Sequence, residues 1–185
     1  MSRTRYIAQA GVIAAVYGAL TWLTLAFGGG LAWGPIQFRV SEAATVLALF
    51  TPAAIPGLAI GSVVANLLNP QAVWPFSALD VVLGSLGTLI GAVWTWRLRE
   101  RIWLALLGPV VANALIVAAY LPILLKGIGL HSVPVLGLSL DGSWLPIYGV
   151  FVATVAIGQA VVVYGLGLPL LVALRRMALA GLLGR

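Results

Sequence analysis

The sequence predicts an all-α integral membrane protein with six transmembrane helices and both termini in the cytoplasm. Three observations carry that reading. The chain of 185 residues is 62% hydrophobic and 8% charged, its mean hydropathy is +1.12, and its apolar runs are divided by short breaks bearing Gly, Pro or Arg. That leaves too little polar surface to cover a water-soluble globule, so lipid must solvate most of the chain. A crossing needs about 20 mostly apolar residues, which leaves room for roughly five to seven spans and almost no soluble domain. Residues 1–185 therefore read as a single transmembrane domain.

The first run covers residues 6–27 and is closed by Gly28-Gly29-Gly30, a helix stop and loop start. It follows Met1-Ser-Arg-Thr-Arg-Tyr6 and is too long for a signal-peptide core, so it reads as a retained span. Small residues line it at helical spacing, with Ala10, Ala14 and Gly18 on one face and Gly11, Ala15 and Ala19 on the next. Such strips admit another helix at close range, either within the bundle or on a partner subunit. The second run, Val40 to Phe50, stops at Thr51-Pro52, and the third, Ile55 to Leu68, stops at Asn69-Pro70. Both are short and read as a tight hairpin of tilted or sheltered helices. The fourth runs from Leu79 to Trp96 and the fifth from Ile102 to Leu125. The sixth runs from Trp144 toward Leu174, with Gly165, Gly167 and Pro169 as expected interruption points. Gly61-Ser-Val-Val-Ala-Asn66 resembles Gly108-Pro-Val-Val-Ala-Asn113. A three-plus-three duplication would instead relate the third span to the sixth, so this likeness reads as chance.

Six crossings put both termini on one side. Arg3, Arg5, Arg97, Arg99, Arg101, Arg175, Arg176 and Arg185 then share that side, against Arg39 and Lys126 on the other. The side richer in Lys and Arg is normally cytoplasmic. Trp94, Trp96 and Trp103 fall at the inner interface and Trp33, Trp74 and Trp144 at the outer one, as an aromatic belt requires.

Several functions are set aside by missing residues. The net charge of +6 sits at the ends of apolar runs rather than on a polar face, which speaks for membrane topology and against nucleic acid. There is no cysteine, so thiolate chemistry and Cys-ligated metals are excluded. No Walker or Rossmann glycine pattern is present, and no His-Glu-x-x-His or Ser/His arrangement supports a protease. The lone His131 has no companions at metal spacing, so no metal or cofactor is expected. The chain reads as a non-enzyme.

The remaining ionisable groups gather toward the outer face. Arg39 and Glu42 begin the second run three residues apart, on one helix face, where they either satisfy each other or meet a ligand. Asp80 follows Ser77 by three, as in a capping box, and is otherwise a carboxylate facing an outer cavity near Glu42. Asp141, before Gly142-Ser143, suits a cap or turn. Asn66, Asn113 and Gln159 are amides inside apolar runs, and each needs a partner, in another helix or in a ligand. Trp33, Trp74 and Trp144 either anchor the interface or stack on a planar ligand.

The segments Gly34-Pro-Ile-Gln37-Phe-Arg39-Val-Ser-Glu42-Ala43, Phe50-Thr-Pro-Ala-Ala-Ile-Pro-Gly57, Ala65-Asn66-Leu-Leu68 and Leu79-Asp80-Val-Val-Leu-Gly-Ser-Leu-Gly-Thr-Leu89 together resemble the QueT family, with the likeness running over nearly the whole chain. The resemblance implies a substrate-binding (S) component of an energy-coupling factor (ECF) transporter. Such a component captures its ligand outside, docks on a transmembrane coupling subunit (EcfT) driven by two ATP-binding subunits, and topples in the bilayer to deliver the ligand inward. The implied ligand is a 7-deazaguanine: a queuosine precursor, queuine or queuosine. A guanine-like edge presents adjacent N–H donors to a carboxylate, a role open to Glu42 or Asp80, and a carbonyl to a donor such as Arg39, Gln37, Asn66 or Asn113. An aminomethyl-bearing precursor would favour two available acids. The resemblance also implies an acid at the position of Gln159, where this chain has an amide. The rival readings are an S component for a vitamin such as biotin, thiamine or riboflavin, a proton-coupled carrier using Glu42 or Asp80, and a ligand-free assembly protein.

Overall fold

A computed structural model describes residues 2–28, 36–69 and 72–183. The chain is built of helices, with one short hairpin among the described residues. Helix α1 spans Arg3–Gly28, and a 3-10 helix covers Val40–Leu49. They are followed by α2, Ala54–Leu67, α3, Ser77–Arg97, and α4, Ile102–Gly127. The strands β1, Ser132–Val133, and β2, Leu138–Ser139, pair antiparallel. Helix α5, Trp144–Val162, then continues through a π-helical turn, Val163–Gly167, into α6, Leu168–Leu183. Four helical stretches are long and apolar enough to cross a bilayer: Arg3–Ala26, Ser77–Arg97, Ile102–Gly127 and Trp144–Met177. Val40–Leu49 and Ala54–Leu67 are shorter apolar helices.

The expected second helix therefore exists, but as a ten-residue 3-10 helix rather than an α-helix. A 3-10 helix rises about 2.0 Å per residue against about 1.5 Å for the α form, so it spans the same interior with fewer residues. Its threefold repeat also sorts the side chains into three rows. Ser41 and Ala44 face α1 and α2, where Ala44 and Ala48 join Ile13, Tyr17, Ala54 and Leu58 in one apolar cluster. Val46 joins Leu106, Val110, Val163 and Leu171 in another. Glu42, Thr45 and Ala48 form the third row, from which Ala48 reaches the first cluster. This segment touches α1, α2, α3, α4, α5 and α6 and is buried along most of its length, so it is the central strut of the bundle. Backbone this crowded is tolerated because four of its ten residues are Ala or Ser.

Glycine sets the closest crossings. A Cβ on Gly57 would lie 2.8 Å from the Ala10 carbonyl, and one on Gly61 would lie 2.8 Å from that of Ala14, so α1 and α2 meet backbone to backbone. Ala10 and Ala14 thus serve internal packing, while Gly11 and Ala15 on the adjacent face are exposed. Gly18 borders a groove of about 250 Å³ with Trp22, Val64 and Leu68. At the other end, the π-helical turn falls where Gly165, Gly167 and Pro169 were expected to interrupt the last helix. Proline at 169 cannot donate to the carbonyl one turn back, and the wider turn absorbs the mismatch without ending the helix. Pro109 and Pro122 lie inside α4, which continues through both.

Candidate ligand-binding site

Six elements, α1 to α5 and the 3-10 segment, bring polar side chains to the interior of the bundle. The 3-10 helix and the extended residues before it contribute Gln37, Arg39 and Glu42, all buried. Arg39 donates from Nη2 to both carboxylate oxygens of Asp80 at 3.0 Å, forming an ion pair whose side chains are each 4% exposed. Tyr120 of α4 donates its hydroxyl to Asp80 Oδ1 at 2.5 Å. Asp80 opens the π-helical turn Asp80–Gly84. That turn shifts the backbone pairing at its start, and Asn66 Nδ2 of α2 donates to the Asp80 carbonyl at 2.8 Å. Gly84 keeps the space open, since a Cβ there would lie 2.8 Å from Asp80 Oδ1 and 2.9 Å from Tyr120 Oη.

The second network centres on Glu42. Its Oε1 accepts the Tyr17 hydroxyl at 2.6 Å and the Thr88 hydroxyl at 3.1 Å. Its Oε2 is buried with no hydrogen-bond partner. Asn113 of α4 belongs to the electrostatic surroundings of Glu42 and packs on Gly87, where a Cβ would lie 2.6 Å from its Oδ1. Asn113 Nδ2 is also buried and outside hydrogen-bonding geometry of any acceptor, although its amide still acts on the Glu42 carboxyl, and Gln159 Oε1 on α5 is buried and unpartnered. Gly158, next to Gln159, lets α5 rest directly on the Gln37 backbone. Leaving a buried donor or acceptor unpaired costs about 1–3 kcal/mol, so these three side-chain atoms are the places among the described residues where hydrogen-bonding capacity is left over.

Several expectations change against this geometry. The spacing of Arg39 and Glu42 left open whether they pair with each other or meet a ligand, and the ion pair runs across the bundle from Arg39 to Asp80. Position 39 lies before the 3-10 helix in extended backbone, so helical spacing does not apply to it. Ser77 and Asp80 do not form a capping box. Ser77 Oγ instead accepts from the Val73 amide at 2.7 Å, and the Asp80 carboxylate turns inward. Trp74 and Trp144 are 56% and 54% exposed, and Trp144 stacks on Tyr148 at 4.7 Å rather than entering the buried cluster. Trp33 lies outside the described residues. Asp141 sits in the loop after β2, where it pairs with Lys126 at 2.9 Å and lies 3.5 Å from His131.

Tyr17, Thr21, Thr88 and Tyr120 were missed in the sequence. Thr21 donates to Ser41 at 2.8 Å, one turn beyond Tyr17 on the same face of α1. That one-turn spacing of two hydroxyl residues within an apolar run was the signal available for the first pair. A lone Tyr in the fifth run offered none, and Thr88 shares the fourth run with Thr95 seven residues on, a spacing that does not single it out.

Apolar helices long enough to cross a bilayer, packed around buried polar side chains, define a multi-pass helical membrane protein. The particular family is given by comparison: a family model described as QueT transporter matches residues 7–176, and the chain belongs to that family, one of transporters and not of enzymes. It is also 36% identical over 89 residues to the queuosine precursor transporter QueT of Lactococcus lactis subsp. cremoris (strain MG1363). That alignment covers 48% of this chain and 48% of the relative, so about half of the curated relative's length is spanned. No solved structure matches.

Proposed function

We propose that the chain is the S component of an ECF-type importer that binds a 7-deazaguanine, a queuosine precursor or salvage form, at the outer face. The observation that carries the reading is the trio of buried unpartnered atoms, Glu42 Oε2, Asn113 Nδ2 and Gln159 Oε1. They offer two acceptors and one donor, the complement of a guanine-like edge whose adjacent N–H donors stand beside a carbonyl. Glu42 accepts through Oε2, because Oε1 is held by Tyr17 and Thr88. The carbonyl falls to Asn113, because Arg39 is engaged by Asp80. Asp80, Asn66 and Gln37 act around the ligand by fixing the frame. The name of the Lactococcus relative supports the ligand class.

In this reading all six apolar helices traverse the membrane, the two short ones sheltered by the long ones, and both termini lie inside in keeping with the arginine distribution. Gly11 and Ala15, outward on α1, together with Gly18 beside its groove, provide the smooth face for the coupling subunit, while Ala10 and Ala14 hold α2. ATP hydrolysis resides in two partner subunits, since the chain has no nucleotide motif.

Isothermal titration of the purified chain in detergent tests the ligand. Saturable binding of 7-deazaguanines, weakened by Asn113→Ala and absent with biotin, thiamine and riboflavin, is expected; tight binding of one of the vitamins instead would overturn the assignment. Uptake by cells that persists after loss of the ATP-binding partners would establish a self-driven carrier and sink the S-component reading.

A further inference from the structure

Arginines gather where α3 ends, α4 begins and α6 passes beside them: Arg97, Arg99, Arg101, Arg175 and Arg176, with Glu100 as the acid among them. Arg99 is engaged, since its Nη1 donates to the Trp96 carbonyl at 3.0 Å and its guanidinium lies 4.1 Å from the centre of the Trp96 ring. Arg101 and Arg175 make no ion pair among the described residues, although Glu100 stands beside them. Both border a groove of about 500 Å³ between the start of α4 and α6. Helix α4 runs away from Arg101 and α6 runs toward Arg175, so the two guanidiniums stand at one end of the groove. The wall beyond them is apolar, with Trp103 and Leu104 on one side and Leu168, Leu171 and Val172 on the other. The π-helical turn before α6 holds this shape: Tyr164 within it donates to the Trp103 carbonyl at 3.0 Å and stacks on the Trp103 ring at 5.8 Å. Trp103 is nevertheless 68% exposed.

The geometry points to a site for one anionic glycerophospholipid, its phosphate held between Arg101 and Arg175 and an acyl chain lying along the apolar wall between α4 and α6. Helices long enough to cross a bilayer place their ends among the headgroups, where an exposed tryptophan beside arginine is at home. Any lipid can cover the wall with its chains. Only an anionic one also answers the two guanidiniums, whose forked N–H groups match phosphate oxygens. Two arginines against one glutamate leave a single positive charge at the groove. A lipid of charge −1 neutralises it, whereas a zwitterionic lipid brings a cation of its own to the arginines. A free phosphate would meet the guanidiniums and leave the apolar wall unused.

The test is native mass spectrometry of the detergent-purified chain titrated with dioleoyl phosphatidylglycerol or dioleoyl phosphatidylcholine, each variant being checked for helical content. Wild type is expected to bind one phosphatidylglycerol at least about tenfold tighter than phosphatidylcholine. The double variant Arg101→Gln/Arg175→Gln is expected to bring the two lipids within about threefold. Arg99→Gln/Arg176→Gln removes two neighbouring charges that do not line the groove, and is expected to keep the tenfold preference. Val172→Trp fills the groove and is expected to weaken phosphatidylglycerol at least about fivefold. Equal binding of the two lipids by wild type overturns the inference, and a preference lost equally in both double variants replaces the site with diffuse attraction to the arginine-rich end. Inorganic phosphate that displaces the lipid at equal concentration, and binds Val172→Trp as it binds wild type, would make the groove a soluble-anion site instead. If Arg101→Gln/Arg175→Gln does not fold, Val172→Trp decides, because lipid binding unchanged by that substitution places the lipid elsewhere.

Discussion

Replacing Arg39 by Met should expose how strongly the two halves of the bundle depend on one ion pair. The guanidinium and the Asp80 carboxylate are 3.0 Å apart, with both side chains 4% exposed. At an effective dielectric of about 20, that separation corresponds to roughly 5 kcal/mol of gross attraction. Deleting one partner of such a pair costs about 3–5 kcal/mol, chiefly because the other charge stays buried. Tyr120 continues to donate to Asp80 at 2.5 Å, which places the expected loss for Arg39→Met near the lower end, about 3 kcal/mol. Asp80→Asn strands the guanidinium and should cost a similar amount. The double variant leaves neither charge, so the two losses should fall short of additivity by about 2 kcal/mol or more. Reversible unfolding in mixed micelles, followed by helical ellipticity, gives the four free energies. Additivity within about 0.5 kcal/mol would show that the pair is not coupled and would refute this account of how the extended segment before the 3-10 helix is anchored to α3.

Tyr17→Phe removes one of the two donors to Glu42 Oε1 and should cost about 1.5–3 kcal/mol in the same unfolding assay, since the acceptor is a carboxylate. Gly61→Leu forces α1 and α2 apart at a point where a Cβ alone would lie 2.8 Å from the Ala14 carbonyl, and should cost more than about 2 kcal/mol. Gly11→Leu meets no atom within 4 Å of its Cβ and should leave stability within about 0.5 kcal/mol while reducing co-purification with the coupling subunit; unchanged co-purification would count against docking through that face. In the loop after β2, the hydrogen bond from Lys126, aided by His131, holds the Asp141 carboxyl below its ordinary range. A carboxyl lowered on folding stabilises above its unfolded value and loses that contribution as pH falls through the folded one, so the fluorescence of the nearby Trp144 should stay constant from neutral pH to about 4 and change only below it. Asp141→Asn should abolish the acid change, and a change that survives this substitution would refute the assignment.

Much of the fold could be read from the order of the residues. Apolar runs broken by Thr51-Pro52 and Asn69-Pro70 mark helix ends, because the structure of a chain solvated by lipid is governed by local backbone satisfaction. The last helix changes its turn where Gly165, Gly167 and Pro169 announce it. The membership of Arg39, Glu42, Asp80, Asn66, Asn113 and Gln159 in one polar interior was legible too, since such groups are costly in hydrocarbon and must converge. Their partners were not. Whether Arg39 meets Glu42 or Asp80 depends on the backbone between positions 39 and 42, and an extended residue followed by a 3-10 helix presents side chains at angles that α-helical spacing does not give.

By itself, then, the sequence determined the solvent, the helical breaks and the inventory of polar groups, all of which follow from composition and short-range spacing. The tertiary structure decided that Val40–Leu49 is the central strut and that Gly57 and Gly61 claim the Ala10 and Ala14 face of α1. It also decided that Asp80 answers Arg39 while Glu42 keeps one oxygen unpartnered. These are choices among residues 41 or more positions apart in the case of the ion pair, and only the packing of helices against one another brings such groups within hydrogen-bonding distance.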